Sequence, residues 1–341
     1  MPLPCTPPRP HFCYFACSVF AILFLTFEFI LLFLIIFTVL VLSSKNDLRN
    51  NKSKHAGQLI VKENAMIAKS GIAAVARNKG KTKIRLFVFD WDGTALGGHE
   101  PYDRFPREFA RFLDGLTDQG IGWATNTTWA VETQHKVIKA SGVKSLPVFL
   151  AGSSGRIAAY MTKRGLMPNR AYARWIESLD LMFDRRVGKT MRRIAAQLLL
   201  GGLADQLEFN PYQHRYMDVH FPGKKESRKG WRLIRPLLKT GYMYRINGKG
   251  INDCILPAHM NKGTVIAYMQ KRLGLRAEET MVAGDGWNDR HMFKAGVAEW
   301  MVCPANAHPG IKALVRGNDG VIGRQKYSWG VIEAAEKLMN G

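Results

Sequence analysis

The stretch Leu86–Thr94 constrains the fold of this chain more than any other, because an apolar run ends there abruptly in two carboxylates. Residues 86–89 read Leu-Phe-Val-Phe, and residues 90–94 read Asp-Trp-Asp-Gly-Thr. A short aromatic and β-branched run is typical of a strand that is buried on both faces of a parallel sheet. Open α/β sheets bind ligands just beyond the carboxyl ends of such strands. Asp90 and Asp92 therefore lie where chemistry is expected, although an Asp-Gly turn after a strand is also common without it.

Regular alternation of helix and strand begins at residue 84. Pro106 suits the first position of a helix, and Thr128 is a candidate cap for a second helix. The order strand, helix, strand, helix, strand with short connections is typical of an α/β fold with a Rossmann-like parallel sheet and right-handed crossovers. After the first strand, the predicted elements are a helix at 106–118, a strand at 121–125, a helix at 130–140 and a strand at 147–150.

Residues 156–257 have a different texture and are predicted to form an inserted α+β domain. The segment is strongly basic, and its stretches 216–221 and 242–246 have the alternation of antiparallel strands with one wet face. The α/β pattern then resumes, so the core domain is predicted to comprise 84–155 and 258–341. Its second part is predicted to contain helices at 262–273, from 288, at 308–315 and at 328–339, and strands at 279–283 and 297–302.

A second acidic cluster follows a later strand and mirrors the first. Residues 284–289 read Gly-Asp-Gly-Trp-Asn-Asp, directly after the apolar run Met-Val-Ala. Parallel strands ending in Asp90 and Asp92 and in Asp285 and Asp289 would gather four carboxylates at one sheet edge. Such a cluster is costly unless a cation neutralises it, and oxygen-only ligands favour Mg²⁺ over zinc or a soft metal. The pattern therefore predicts a magnesium site.

Two further segments offer donors to a phosphate bound beside this metal. Thr125, Asn126 and Thr127 follow the second strand and provide a hydroxyl and backbone N–H groups. Lys262 opens a helix and provides a point charge. Alone, Thr125 reads as an ordinary cap residue and Lys262 as a solvated lysine. In the order Asp, Thr, Lys, Asp-x-x-Asn-Asp they are far more specific.

In this order the chain resembles the haloacid dehalogenase-like (HAD) superfamily over about residues 84–341. Its four motifs are present as residues 90–94, Thr125, Lys262 and residues 284–289. The insertion between the second and third motifs resembles the C2 type of cap domain. Two further segments are similar to the branch that holds sucrose-phosphate phosphatase and the Cof-type sugar phosphatases. They are Asp253 to Pro257, which leads to Asn261-Lys262-Gly263, and Asn306-Ala307-His308-Pro309.

The resemblance implies a phosphatase and assigns roles to the motif residues. Asp90 would attack phosphorus to form an aspartyl-phosphate, and Asp92 would protonate the leaving alcohol and then activate water. Thr125, Asn126 and Lys262 would bind the phosphate and stabilise the charge of the transition state. Mg²⁺ would be held by Asp90, the Asp92 backbone carbonyl and Asp285, with Asn288 and Asp289 in or near the metal shell.

One departure from the family pattern concerns substrate recognition. Many Cof-type members have Thr-Gly-Arg at the second motif, whereas Asn126 and Thr127 follow Thr125 here. Without this arginine, the second motif does not recognise the non-transferred part of the substrate. The basic cap is therefore the expected specificity element. Its candidate residues include Arg156, Lys163 and Arg174, although most such residues are ordinary surface charges.

The N-terminal region adds a predicted membrane anchor. Residues 1–13 are Pro-rich, 14–42 are almost unbroken apolar residues and 43–83 form a basic linker. A bilayer core needs roughly 20 apolar residues, and the positive-inside rule places the C-terminal body in the cytoplasm. The single charge of Glu28 costs on the order of 3 kcal/mol, which the many apolar residues outweigh. The alternative is that Met66 starts a soluble cytoplasmic protein.

The net charge of +22 suits anionic partners without choosing among them. A small phosphorylated substrate fits the four motifs best, and the leading prediction is a membrane-tethered sugar phosphatase. A membrane scaffold whose inactive or slow phosphatase fold binds phosphorylated ligands or acidic lipid is the second hypothesis. Specific nucleic-acid binding is not expected, because no recognisable module accompanies the Lys and Arg residues. The sequence leaves the oligomeric state open.

Overall fold

The computed structural model of this chain describes residues 83–98, 102–209, 217–238, 243–248 and 252–340. The predicted Pro-rich tail, membrane helix and almost all of the basic linker lie outside these ranges. Within the ranges, no helix is both long enough and apolar enough to cross a membrane.

The core is built around an eight-stranded sheet in the order β12-β11-β10-β1-β2-β3-β4-β5. The six strands from β12 to β3 are parallel, and β4 and β5 continue the sheet antiparallel. This is the parallel-dominated, Rossmann-like sheet that the alternating pattern predicts. Its strands are β1 (Leu86–Phe89), β2 (Gly122–Asn126), β3 (Leu150–Gly152), β4 (Ile157–Thr162), β5 (Gly165–Pro168), β10 (Thr280–Ala283), β11 (Trp300–Cys303) and β12 (Val321–Ile322).

Both faces of this sheet are covered, which is why its central strands are apolar throughout. Leu86 and Val88 belong to one buried cluster and Phe87 and Phe89 to another, because successive side chains of β1 point to opposite faces. All four are fully buried. The helices associated with the core are α1 (Arg107–Asp118), α2 (Val131–Ala140), α5 (Lys262–Leu273), α6 (Pro309–Gly317) and α7 (Tyr327–Asn340).

A second, antiparallel sheet with its own apolar core lies between β5 and α5 in the chain. Its order is β6-β7-β9-β8. Strand β7 alternates buried and half-exposed residues, as a strand with one wet face does. Helices α3 and α4 bury Phe183, Met191 and Trp231 against it. The elements are α3 (Arg170–Leu200), β6 (Gln206–Phe209), β7 (Met217–His220), α4 (Lys224–Leu238), β8 (Met243–Gly248) and β9 (Asn252–Pro257).

The structure differs from the sequence prediction at several places. The predicted inserted domain starts at residue 156, but β4 and β5 pair with the main sheet, so the division by sheet falls after Pro168. Thr128 does not cap α2, whose N-cap is Ala130 without a side-chain hydrogen bond. Trp287–His291 form a short 3₁₀ helix instead of the predicted α-helix from Asn288. The 31-residue helix α3 was not predicted at all.

Candidate active site

Three central strands bring the predicted motifs to one edge of the sheet. Phe89 pairs with Ala283 of β10 on one side and with Thr125 of β2 on the other. Because all three strands are parallel, Asp90 and the segments that follow Ala283 and Thr125 leave the sheet together. The predicted concentration of motifs at this edge is therefore present.

The turn after β1 is shaped by Gly93 and held to β10. The Asp90 amide donates to the Ala283 carbonyl at 3.0 Å, and the Gly93 amide donates to Leu96 at 2.9 Å. Gly93 has φ of +75°, and a Cβ there would lie 2.2 Å from Asp285 Oδ2. Glycine is required for both reasons, since only glycine allows this backbone and this close approach of the carboxylate.

Lys262 forms the centre of the buried charge cluster. Its Nζ lies 2.5 Å from Asp90 Oδ1 and 2.6 Å from Asp289 Oδ1. All three side chains are almost completely excluded from water. Lys262 is the first residue of α5, and Asn261 caps that helix by accepting from the amides of Gly263 and Thr264. The cap explains why the lysine enters the site from a rigid position.

Burial controls the ionisation of this cluster. Desolvation and then the charge of Asp289 raise the pKa of Asp90 from 3.8 to about 8. The same two causes raise the pKa of Asp285 to about 6. Burial works against the charged form of Lys262, but the carboxylates of Asp289 and Asp90 outweigh it and raise its pKa. The raised pKa values of Asp90 and Asp285 show that one lysine does not balance the cluster when its acids ionise, and a bound cation would relieve the excess of negative charge.

The donor set fits a hard divalent cation. Carboxylate oxygens of Asp90, Asp285 and Asp289 lie within 4.8 Å of one another. Asp285 also accepts a hydrogen bond from Thr94 Oγ1 at 3.0 Å, which orients its carboxylate. Oxygen ligands of this kind suit Mg²⁺. Asp90 and Asp285 are the more available members, because protein groups engage both oxygens of Asp289.

Asp289 stabilises the turn that carries Asp285, in addition to its place in the acidic cluster. Its Oδ1 contacts Lys262, and its Oδ2 accepts from the amides of Asp285 and Gly286 at 3.0 and 2.9 Å. It therefore holds the turn that presents Asp285. Asn288 is exposed. The carboxylate of Asp92 is also exposed, and its Oδ2 accepts from the Trp129 indole at 2.7 Å.

The second motif lies at the same edge but uses its side chains internally. The Thr125 hydroxyl donates to Gln134 Oε1, and both residues are fully buried. Asn126 Nδ2 donates to the Lys262 carbonyl at 2.7 Å and contacts Met292 Sδ at 3.6 Å. Asn126 thus ties β2 to the start of α5. The hydroxyl that was predicted to bind phosphate is engaged by Gln134 in this structure.

Some residues of the site were missed by sequence reasoning. Gln134 and Trp129 both support predicted residues. Asn306 was named only for its family resemblance, and its Nδ2 donates to the Gly93 carbonyl at 2.7 Å. Gln134 carried a usable signal, because it shares the apolar face of α2 with Val131, Val137 and Ile138. Trp129 lies in a loop without such periodicity.

The candidate cap residues Arg156, Lys163 and Arg174 have different surroundings. Arg156 Nη2 lies 2.7 Å from the buried Asp180 Oδ2, and its Nη1 contacts Met260 Sδ. Lys163 and Arg174 are exposed. These contacts give Arg156 a structural partner. They do not identify any of the three residues as a substrate ligand.

The sucrose-6F-phosphate phosphohydrolase family model matches residues 83–338, which include every motif of this site. The chain belongs to this family. The match confirms the predicted membership of the HAD superfamily and makes the chain a phosphoric monoester hydrolase.

Two curated relatives agree with this class of enzyme. The mannosylfructose-phosphate phosphatase of Agrobacterium fabrum is 27% identical over 254 residues, covering 73% of this chain and 95% of the relative. The HMP-PP phosphatase of Klebsiella pneumoniae is 26% identical over 246 residues, covering 67% and 87%. Both are phosphatases by name, and the alignments span most of each relative.

Solved structures support the fold. The sucrose-phosphatase of Synechocystis, in complex with sucrose and phosphate, gives a TM-score of 0.53 at 19% identity and covers 75% of this chain and 98% of that one. A haloacid dehalogenase-like hydrolase protein of Bacillus subtilis gives 0.51 at 15% identity and covers 77% and 95%. At these identities the likeness concerns the fold alone.

Proposed function

We propose that this chain is a Mg²⁺-dependent phosphatase that hydrolyses a small sugar phosphate through an aspartyl-phosphate on Asp90. The observation that carries the proposal is the position of Asp90. Its carboxylate lies 2.5 Å from Lys262 Nζ, in a buried acidic cluster at the sheet edge, while the Asp92 carboxylate two residues later is exposed. A nucleophile and a proton carrier thus follow the same strand.

The first half of the reaction uses Asp90 and Lys262. A carboxylate oxygen of Asp90 forms a bond to phosphorus as the bond to the sugar oxygen breaks, and the departing oxygen takes a proton from Asp92. Lys262 is placed to stabilise negative charge on the transferring phosphoryl group. When bound by Asp90, the Asp92 backbone carbonyl and Asp285, with Asn288 and Asp289 in or near its shell, Mg²⁺ supplies positive charge to the same group.

The second half returns the enzyme to its starting state. Asp92, now ionised, removes a proton from a water molecule that attacks phosphorus, and the bond between phosphorus and Asp90 breaks. Inorganic phosphate leaves, and Asp92 holds the proton for the next cycle. Thr125 and Asn126 lie at the same edge, and we assign them to phosphate binding, for which the Thr125 hydroxyl would first have to leave Gln134.

The sugar class rests on the relatives. The family description names sucrose-6F-phosphate, and the Agrobacterium relative is named for mannosylfructose-phosphate. Both are phosphate esters of disaccharides, which makes disaccharide phosphates the first substrates to test. The Klebsiella relative, named for HMP-PP, shows that similar chains also act outside the sugars.

A substrate panel tests this proposal. Release of inorganic phosphate from sucrose-6F-phosphate, mannosylfructose-phosphate, simple hexose phosphates and HMP-PP is measured with the full chain and Mg²⁺. We expect turnover of at least one sugar phosphate, and loss of turnover in Asp90→Asn and after chelation of the metal. Equal turnover in Asp90→Asn, or in the presence of a chelator, would contradict the mechanism.

We also propose that residues 14–42 tether the enzyme to a membrane, with the catalytic domain on the cytoplasmic side. Support comes from the apolar length of this segment and the basic residues that follow it. Extraction of cell membranes at alkaline pH tests the tether. Recovery of the whole chain in the supernatant would rule it out.

A further inference from the structure

The exposed carboxylate of Asp92 has a fixed neighbour in Trp129. The Trp129 indole Nε1 donates a hydrogen bond to Asp92 Oδ2 at 2.7 Å. Asp92 is exposed, and an exposed carboxylate without such a partner would sample several rotamers. The hydrogen bond joins the loop after β2 to the turn after β1, so it links the second motif to the first.

Trp129 is itself held from three sides. Its ring packs against the buried ring of Trp91, with 5.4 Å between centroids. Its carbonyl accepts a hydrogen bond from Gln134 Nε2 at 3.0 Å. Gly152 lies so near that a Cβ there would be 2.8 Å from the Trp129 carbonyl oxygen. These contacts make the indole a rigid donor rather than a surface side chain that meets Asp92 by chance.

Gln134 extends this support to the neighbouring motif. The side chain is fully buried, and its Nε2 also donates to the Ala151 carbonyl at 3.0 Å, while its Oε1 accepts from the Thr125 hydroxyl. A single buried amide therefore connects Thr125 with the loop that carries Trp129.

We propose that Trp129 is a positioning residue that orients the Asp92 carboxylate for proton transfer, an inference that rests on the proposed phosphatase function. An indole N–H donates a hydrogen bond but cannot accept one, and it does not ionise near neutral pH. It occupies Oδ2 and leaves Oδ1 as the oxygen that carries the moving proton. Trp129 thereby acts on the leaving group through Asp92 and need not touch the substrate.

The leaving group distinguishes this role from a structural one. A sugar alkoxide is a poor leaving group and needs the proton of Asp92, whereas p-nitrophenolate departs without one. Loss of orientation should therefore slow sugar phosphates more than p-nitrophenyl phosphate. A merely structural defect would slow both substrates equally, because it reduces the amount or the general competence of the site.

The experiment compares kcat/KM for these two substrates in the wild-type chain and in Trp129→Phe, which keeps a ring but lacks the N–H. The sugar phosphate is the best one in the substrate panel. General acid catalysis contributes about 10² to 10⁴-fold, so we expect a loss of about 10-fold or more for the sugar phosphate and less than about 3-fold for p-nitrophenyl phosphate. Since the ratio of the two values is measured in one preparation, incomplete folding of the variant does not affect it.

Trp300→Phe is the matched control. Trp300 Nε1 also donates a hydrogen bond, to the Glu278 carbonyl at 2.7 Å, but it lies on β11 away from Asp92. The ratio should remain at the wild-type value in this variant. An unchanged ratio in Trp129→Phe would overturn the positioning role while leaving the phosphatase intact. Absence of turnover of both substrates by the wild-type chain would instead refute the proposed function, and the inference with it.

Discussion

Lys262 Nζ lies 2.5 Å from Asp90 Oδ1 in a region that water does not reach. The contact joins the first residue of α5 to the residue that follows β1, which are 172 positions apart in the chain. The balance of charge between Lys262 and the neighbouring carboxylates affects both the stability of the sheet edge and the reactivity of the proposed nucleophile, Asp90.

Replacement of Lys262 by Met should damage activity and stability together. Asp90 and Asp289 would remain buried without their cation, and removal of one partner of a buried ion pair costs about 3 to 5 kcal/mol. Loss of a group that stabilises transition-state charge lowers kcat by about 10² to 10³-fold. Phosphate release and urea unfolding measure the two effects. Lys271→Met, on an exposed position of the same helix, should change neither, and equal behaviour of the two variants would contradict this account.

Asp285 should make the metal-free protein less stable as the pH rises. Burial first, and Asp289 second, raise its pKa from 3.8 to about 6, so the folded state binds a proton that the unfolded state releases. The stabilisation is complete below about pH 4 and is lost as the pH passes about 6, with a total on the order of 3 kcal/mol at 1.36 kcal/mol per pKa unit. The difference in unfolding free energy between wild type and Asp285→Asn, measured in chelator from pH 4 to 8, isolates this effect.

Magnesium should reverse that loss. The ion binds ionised carboxylates, so it must displace the proton of Asp285 at low pH but not at high pH. We expect a larger rise of Tm on addition of Mg²⁺ at pH 8 than at pH 5.5. Asp285→Asn should largely abolish the rise. The same increase of Tm in wild type and variant would show that the metal stabilises the chain elsewhere.

Phe89→Ala should be among the most destabilising core substitutions. The ring of Phe89 is fully buried and packs against the rings of Phe87, Phe105, Phe109 and Trp123. Truncation of a buried Phe costs about 3 to 5 kcal/mol. Urea unfolding followed by circular dichroism measures the change. Leu200→Ala, where the leucine is 90% exposed, should lie within about 0.5 kcal/mol of wild type.

The buried ion pair of Asp180 should matter much more than an exposed one. Asp180 of α3 lies 2.7 Å from Arg156 and accepts a hydrogen bond from His259 Nε2 at 2.8 Å. It thereby joins α3 to the residue before β4 and to the segment after β9. Asp180→Ala leaves Arg156 in a mostly buried place, at a cost of about 3 to 5 kcal/mol. Asp103→Ala breaks an exposed pair with Arg104 and should cost less than about 1 kcal/mol. Similar losses of unfolding free energy in both variants would disprove the distinction.

Sequence periodicity located the core elements well and the inserted region poorly. Helix α5 begins at Lys262 and ends at Leu273, as predicted, because its cap Asn261 and its terminal Gly274 are strong local signals. Helix α3 escaped prediction because its basic residues obscure an apolar stripe that includes Tyr172, Ile176, Phe183 and Met191. Strands β4 and β5 were assigned to the insertion because only the pairing of β4 with β3, and of β5 with β4, reveals their sheet.

Local sequence alone determined the identity of the chemical groups and the strand that presents them. An apolar strand that ends in Asp90 and Asp92, together with Thr125, Lys262 and the cluster at Asp285, indicated a phosphatase of the HAD superfamily. The predicted membrane helix at 14–42 stays a prediction, because it lies outside the described residues. These signals are readable because each depends on residues that are adjacent in the chain.

Only the tertiary structure decided what each group contacts. It placed Lys262 between Asp90 and Asp289, bound the Thr125 hydroxyl to Gln134 and set the Trp129 indole on Asp92. None of these pairs follows from spacing, because they join separate elements that meet only at the edge where the parallel strands end. The pKa of a buried carboxylate likewise depends on desolvation and on neighbours brought from distant segments. Local sequence therefore identifies the reactive side chains, whereas the fold at the sheet edge sets their ionisation and orientation.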